Sequence, residues 1–266
     1  MRRSRPLFLF SRVIALTCAI LLCLPLAACR YGDEDPLAEP KGESEETYTG
    51  KIRFDSRRYT FEGDGAAISV QNDAILIQKE GVYLLTGKLT EGRIVTDAPA
   101  VRLVLDGAEL CSSTSSVIES RRGTLMIESR EGSVNILRSE GAAPGAIETD
   151  GDIFVIGKGK TVISAPSTTY ALTCGRFFGE GGDISLTAKN GILCRVAEIN
   201  GGRVSLRVTA MGIYAEDSIR MTGGALVALC DETALCAENE IILTGGERDV
   251  RAPKPYVCKK EENSKK

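Results

Sequence analysis

Five segments between Gly145 and Gly246 repeat one another, and this repetition limits the chain to very few folds. GAIET (Gly145 to Thr149), YALTC (Tyr170 to Cys174), NGILC (Asn190 to Cys194), MGIYA (Met211 to Ala215) and TALCA (Thr233 to Ala237) align on Ile147, Leu172, Ile192, Ile213 and Leu235. Each carries a small residue, an aliphatic, a variable residue and a small one. Each is followed about ten residues on by Gly157, Gly181-Gly182, Gly201-Gly202, Gly223-Gly224 or Gly245-Gly246. A fixed period of roughly 20 to 25 residues marks a solenoid, in which one coil cannot bury its apolar face alone.

The turns divide each unit into three short strands. In the unit at Ile213 the inward candidates are Ile213 and Ala215, then Ile219 and Met221, then Leu226, Ala228 and Cys230. The preceding unit offers Ile192, Cys194, Ala197, Ile199, Leu206, Val208 and Ala210 in the same places, and the next offers Leu235, Ala237, Ile241 and Leu243. Strands stacked about 4.8 Å apart turn such positions into ladders. A propeller needs about 40 to 50 residues per blade, roughly twice this period. The alternation begins earlier, at Ile52, Phe54, Tyr59 and Phe61, continues at Val101, Leu103 and Leu105, and nowhere gives way to a sustained helical period. The expectation is an all-β fold, a single parallel β-helix with about 21 residues per coil.

Composition agrees. The 28 glycines suit many tight turns, and 5% aromatic residues with no Trp and no His remove the imidazole dyads and imidazole metal ligands. Arg2, Arg3 and Arg5, an apolar run from Val13 to Leu24, and Leu26-Ala27-Ala28-Cys29 form a secretory signal ending in what resembles the lipobox of bacterial lipoproteins. That likeness implies cleavage before Cys29 and lipidation of its sulfur, with acyl chains contributing about 0.8 kcal/mol per buried CH2. The segments expected are a lipoprotein signal peptide (1–28), a flexible acidic linker (29–50), the β-helix domain (51–246) and a C-terminal tail (247–266). Loss of residues 1–28, with four arginines and no acids, would move the formal charge from −3 to −7. Such a chain does not suit nucleic acid. A monomer tethered outside the cytoplasmic membrane through Cys29 is expected.

The stretch from Gly81, with Tyr83, Leu85, Gly87, Leu89, Gly92, Ile94, Asp97 and Ala98, followed by Val101 to Ala108, resembles a secreted bacterial carbohydrate-binding domain-containing β-helix family. The likeness covers roughly Ile68 to Gly246. It implies a right-handed parallel β-helix like that of pectate lyases, with polysaccharide as partner, acidic pectic chains included, and calcium as a helper. Coils of that family usually read Asp-Gly-Ile-Lys-Ser-Lys. Here the acid's place holds Pro144, Tyr170, Asn190, Met211 or Thr233, none of them a carboxylate. Calcium takes six to eight oxygen ligands, so no metal ligand set can be named and no cofactor is certain. Glu148, Asp150, Asp152, Glu216, Asp217, Glu238 and Glu240 remain on the coils.

Sugar rings offer apolar C–H faces to aromatic platforms, and their hydroxyls suit planar polar side chains. Tyr214, next to the inward Ile213, should face outward. Arg176, Arg195 and Arg220, with Glu216 and Asp217, are expected on the same side, and this patch is the candidate carbohydrate-binding site. No catalytic residue is identified. Cys174 and Cys194 share one inward slot in successive coils, where either a stacked disulfide or two small buried thiols would fit. The expected function is a non-catalytic cell-surface lipoprotein that binds polysaccharide. The alternatives are an envelope scaffold or adhesin-like protein with a protein partner, and an enzyme of the polysaccharide-lyase type.

Overall fold

The computed structural model describes residues 47–260. The lipobox and nearly all of the linker expected at 29–50 lie outside these residues, as does the end of the expected tail.

Among the described residues the strands wind into eight successive coils, 74–89, 93–112, 118–139, 145–165, 170–188, 190–208, 211–230 and 233–251, each hydrogen-bonded in parallel to the next. The expected parallel β-helix is therefore present. Three ladders fill its interior. Ile75, Ile94, Ile118, Ile147, Leu172, Ile192, Ile213 and Leu235 stack in register on what we call face I. On face II the ladder is Val101, Leu125, Ile153, Phe177, Ala197, Ile219 and Ile241. Face III carries Leu89, Leu110, Leu137, Ile163, Leu186, Leu206, Ala228 and Val250. All but the last rung of faces II and III belong to one continuous core. Because a coil is apolar only on its inward positions, each rung excludes water from the one below. A fully buried Ile or Leu contributes roughly 1.5–3 kcal/mol of transfer free energy against the entropy of ordering the chain.

The glycine pairs make the corner between faces II and III. Gly202 has φ +64° and Gly224 has φ +69°, a conformation that costs an L-residue side-chain strain. A Cβ on Gly202 would lie 2.5 Å from the Gly182 carbonyl oxygen of the coil before it, and one on Gly224 would lie 2.6 Å from that of Gly201. The repeated Gly-Gly thus follows from coils stacking backbone on backbone at this corner. Elsewhere buried side chains close the gaps. Asn135 accepts from the Ala108 N–H (3.0 Å) and donates to the Lys160 carbonyl (3.1 Å), joining three coils.

Two antiparallel hairpins, Gly50–Ser56 with Arg58–Gly63 and Ile68–Gln71 with Ala74–Ile77, turn through Ser56 (φ 59°) and Asn72 (φ 57°) at the N-terminal end. Gly50–Ser56 runs parallel to Gly81–Leu89 and occupies its free edge, with Ile52 and Phe54 buried beneath. At the other end the ladders continue past Gly246, where the sequence reading placed a tail. Glu247–Arg251 pairs with Ala225–Cys230, and Lys254–Cys258 pairs with Thr233–Ala237. The repeat was obscured there because the terminal coil carries charges and Pro255 where inner coils carry aliphatics, as edge strands commonly do.

Candidate functional site

Successive residues of a strand point to opposite sides of the sheet, so each buried rung of face II stands beside an outward one. The outward row beside Phe177 reads Val82, Arg102, Met126, Phe154, Phe178, Glu198, Arg220 and Ile242. A second row beside it reads Thr124, Asp152, Arg176, Val196, Ser218 and Glu240. Eight rungs about 4.8 Å apart give an axial strip roughly 34 Å long.

Phe154 and Phe178 occupy the middle of this strip. Parallel in-register pairing brings their rings face to face, with centroids 4.4 Å apart and planes within 10°. The facing surfaces are spent on each other, and the ring edges present C–H groups outward. The Arg176 guanidinium lies 5.3 Å from the Phe178 centroid and is held there by two bonds to the Asp152 carboxylate, Nε–Oδ1 at 2.9 Å and Nη2–Oδ2 at 2.5 Å. Those bonds raise the guanidinium pKa further above its ordinary value. Beyond Met126 the strip opens into a hollow of about 380 Å³ lined by Glu80, Val82, Ala100, Arg102, Thr124 and Met126. An apolar ridge flanked by fixed donors and acceptors can hold a flat, hydroxylated molecule.

The arginines of the strip are paired. Arg102 Nε donates to Glu128 at 2.5 Å, Arg176 is bound as described, and Arg220 lies 3.6 Å from Glu240. Of the six residues expected to form the binding patch, Arg176 and Arg220 are on this strip and the other four are not. Tyr214 is on face I, in the outward row with Thr173, Leu193 and Cys236. Its hydroxyl donates to Glu238, and Lys259 donates to Glu238 at 2.6 Å and to the Tyr214 oxygen at 3.3 Å. The Lys259 ammonium stands 4.9 Å from the ring centroid, so one ring face is covered by a cation. The bond to Glu238 raises the Tyr214 pKa, and Lys259 lowers that of Glu238.

Arg195, Glu216 and Asp217 sit at the corner between faces I and II. There the ladder slips between Cys194 and Val196, so two residues of the later coil, Glu216 and Asp217, oppose the single Arg195. The bulge opens a hollow of about 430 Å³ in which Arg195 and Glu216 meet Glu148, Asp150, Thr173 and Leu193. Asp217 is bound to Asn239 (2.7 Å). Arg195 is thus brought together with Glu216 and separated from Arg176 and Arg220. Cys174 and Cys194 pair in register as free thiols, Cys194 buried. Phe154 and Phe178 went unrecognised in the sequence, although each stands three residues before a coil glycine, Gly157 and Gly181.

Calcium does not fit the place where the family motif puts an acid. Asn190 donates its amide to the Thr169 carbonyl (2.8 Å) and accepts from the Met211 N–H (3.2 Å), leaving no carboxylate there. Among the described residues no group of three or more His, Cys, Asp or Glu is placed to hold a metal.

No curated protein matches the chain. Among solved structures, the polysaccharide lyase-like protein from C. thermocellum, determined as a gadolinium derivative, superimposes with a TM-score of 0.67 at 22% identity, covering 79% of this chain and 96% of that one. This is a likeness of fold. The model of the carbohydrate-binding domain-containing protein family matches residues 71–266, which takes in all eight coils and leaves out most of the N-terminal cap, and the chain belongs to that family.

Proposed function

We propose that this protein is a non-catalytic, lipid-anchored surface protein that holds a polysaccharide chain along the outer side of face II, parallel to the coil axis. The observation that carries the reading is the Phe154–Phe178 stack flanked by the Arg176–Asp152 pair, in a chain of a carbohydrate-binding family. The coil spacing of about 4.8 Å is close to the length of one pyranose unit in an extended chain, so equivalent side chains on successive coils meet equivalent positions of the polymer. A non-catalytic role is favoured because a β-elimination base must be unprotonated to take the sugar's proton, whereas the two bonds to Asp152 hold the Arg176 guanidinium in its protonated form. The lipobox at Leu26–Cys29 supports tethering outside the cytoplasmic membrane, with the acidic segment after it as spacer.

Affinity gel electrophoresis of the full chain in detergent, against a panel of soluble polysaccharides, tests the binding. Retardation by at least one glycan is expected, and the Phe154→Ala, Phe178→Ala double variant should migrate freely while keeping its circular dichroism spectrum. Retardation equal in the variant would remove face II from the reading. For the anchor, palmitate labelling should disappear in Cys29→Ala; continued labelling overturns the tether.

A further inference from the structure

We infer that face II selects neutral polysaccharide and takes it without calcium, an inference that rests on the binding reading above and names its ligand class. A uronate polymer brings one carboxylate per residue. To bind it along an axial strip, the protein must supply uncommitted cations at the coil spacing or bridge two carboxylates through a divalent ion. The strip does neither. Its arginines, Arg102, Arg176 and Arg220, each face a carboxylate of a neighbouring coil, namely Glu128, Asp152 and Glu240. Glu198 stands in the row directly after Phe178, and Glu80 lines the hollow at the N-terminal end. Carboxylates therefore outnumber guanidinium groups on the surface that the polymer would cover. Drawing an arginine toward a uronate would strip a protein carboxylate of its partner.

The same pairs suit hydroxyls. Arg176 spends two of its five N–H donors on Asp152, so the remaining donors and the free lone pairs of the carboxylate lie side by side. A vicinal diol can accept from one and donate to the other without disturbing the pair. Phe154, Phe178, Met126 and Val196 supply the apolar surface between. Calcium has no carboxylate cluster to sit in among the described residues, so no metal bridge replaces the missing cations.

The test compares retardation of the full chain in gels containing hydroxyethylcellulose, mannan or polygalacturonate, at low and high sodium chloride, with calcium and with chelator. The expected result is retardation by a neutral polymer that is unchanged by salt and by chelation, and weaker retardation by polygalacturonate. Glu198→Gln combined with Glu240→Gln should strengthen polygalacturonate retardation roughly two- to fivefold, the range set by exposed charge contacts, and leave the neutral polymer within twofold. Stronger retardation by polygalacturonate than by either neutral polymer, loss of retardation on chelation, or a double variant no better with polygalacturonate would overturn the neutral selectivity and leave polysaccharide binding standing. Retardation by none of the three, extended to the wider panel above, overturns the binding reading and this inference with it.

Discussion

Phe177 and Phe178 are adjacent in the chain and identical in composition, yet the coil turns one inward and the other outward. Replacing each by Ala separates the two environments. Phe177 is fully buried, between Ile153 and Ala197 on the face II ladder and beside Gly179. With neighbours that small on one side, its ring is the main volume at that level, and the shell cannot close the gap. Phe177→Ala should therefore cost about 3–5 kcal/mol, the range for a buried aromatic that leaves a cavity. Phe178 is only partly buried; its truncation loses the stack on Phe154 and the Arg176 contact, together about 1–2 kcal/mol. At about 2–4 °C per kcal/mol for a chain of this size, Phe177→Ala should melt roughly 6–20 °C lower and Phe178→Ala roughly 2–8 °C lower. Urea unfolding followed by circular dichroism, with the slope checked for constancy, measures both. Because solenoid stability is a sum over neighbouring repeats, the loss should appear as a shift of the main transition centred on the coils around 153–199. A Phe178→Ala cost equal to or above that of Phe177→Ala would mean a strand shifted by one residue, which exchanges every inward and outward position, and would refute the assignment of face II.

Three further outcomes follow from the same geometry. Gly107 and Gly202 both have positive φ, but a Cβ at Gly107 meets open space while one at Gly202 meets the backbone of the coil before it; Gly107→Ala should cost about 1–2 kcal/mol and Gly202→Ala clearly more by the same urea measurement, equal costs arguing against backbone contact at the corner. Burial pushes the Cys194 thiol up to about 12 and the Cys230 thiol up to about 11, so both should resist a maleimide at pH 8 in the folded protein and react after unfolding; mass spectrometry showing native labelling of Cys194 would place it outside the core. Lys259 holds the Glu238 carboxyl below its ordinary value. A depressed carboxyl stabilises the fold above its unfolded pKa and loses that contribution as pH falls through the folded one. Lys259→Met should thus raise the Glu238 midpoint in a carbon-detected NMR titration, whereas an unmoved midpoint would deny the contact.

The interior of this protein was legible in its sequence because an inward slot demands a particular volume at a fixed interval. Ile147, Leu172, Ile192, Ile213 and Leu235 align by eye and stack in fact. The strands past Gly246 escaped notice because their outer neighbour is water, and Glu247 to Arg251 no longer needs aliphatics on every second residue. Outward positions obey no such demand, and the candidate site was only partly readable. Arg176 and Arg220 could be placed on one side by counting from the glycines. Arg195 could not, because a bulge after Cys194 sets Glu216 and Asp217 against it. The outward turn of Tyr214 followed from Ile213, but nothing local could reveal that Lys259, forty-five residues later, covers its ring.

The way coils stack also explains how one fold keeps its core while changing what its surface holds. An inward substitution is felt by the rungs above and below, since each buries the next. An outward substitution meets only its ladder neighbours and water. On face II the neighbours have become mutually satisfying: a ring for a ring at Phe154 and Phe178, and a carboxylate for each guanidinium at Arg102, Arg176 and Arg220. A strip whose guanidinium groups each face a carboxylate, with Glu198 and Glu80 besides, has no cationic field for an anionic polymer to answer. On the binding proposed above, specificity would then come from shape and from hydrogen bonds added to pairs already formed. Salt should separate these two designs directly: attraction between uncommitted charges weakens within a Debye length of about 8 Å at physiological ionic strength, whereas contact with a neutral chain on a self-paired strip should persist.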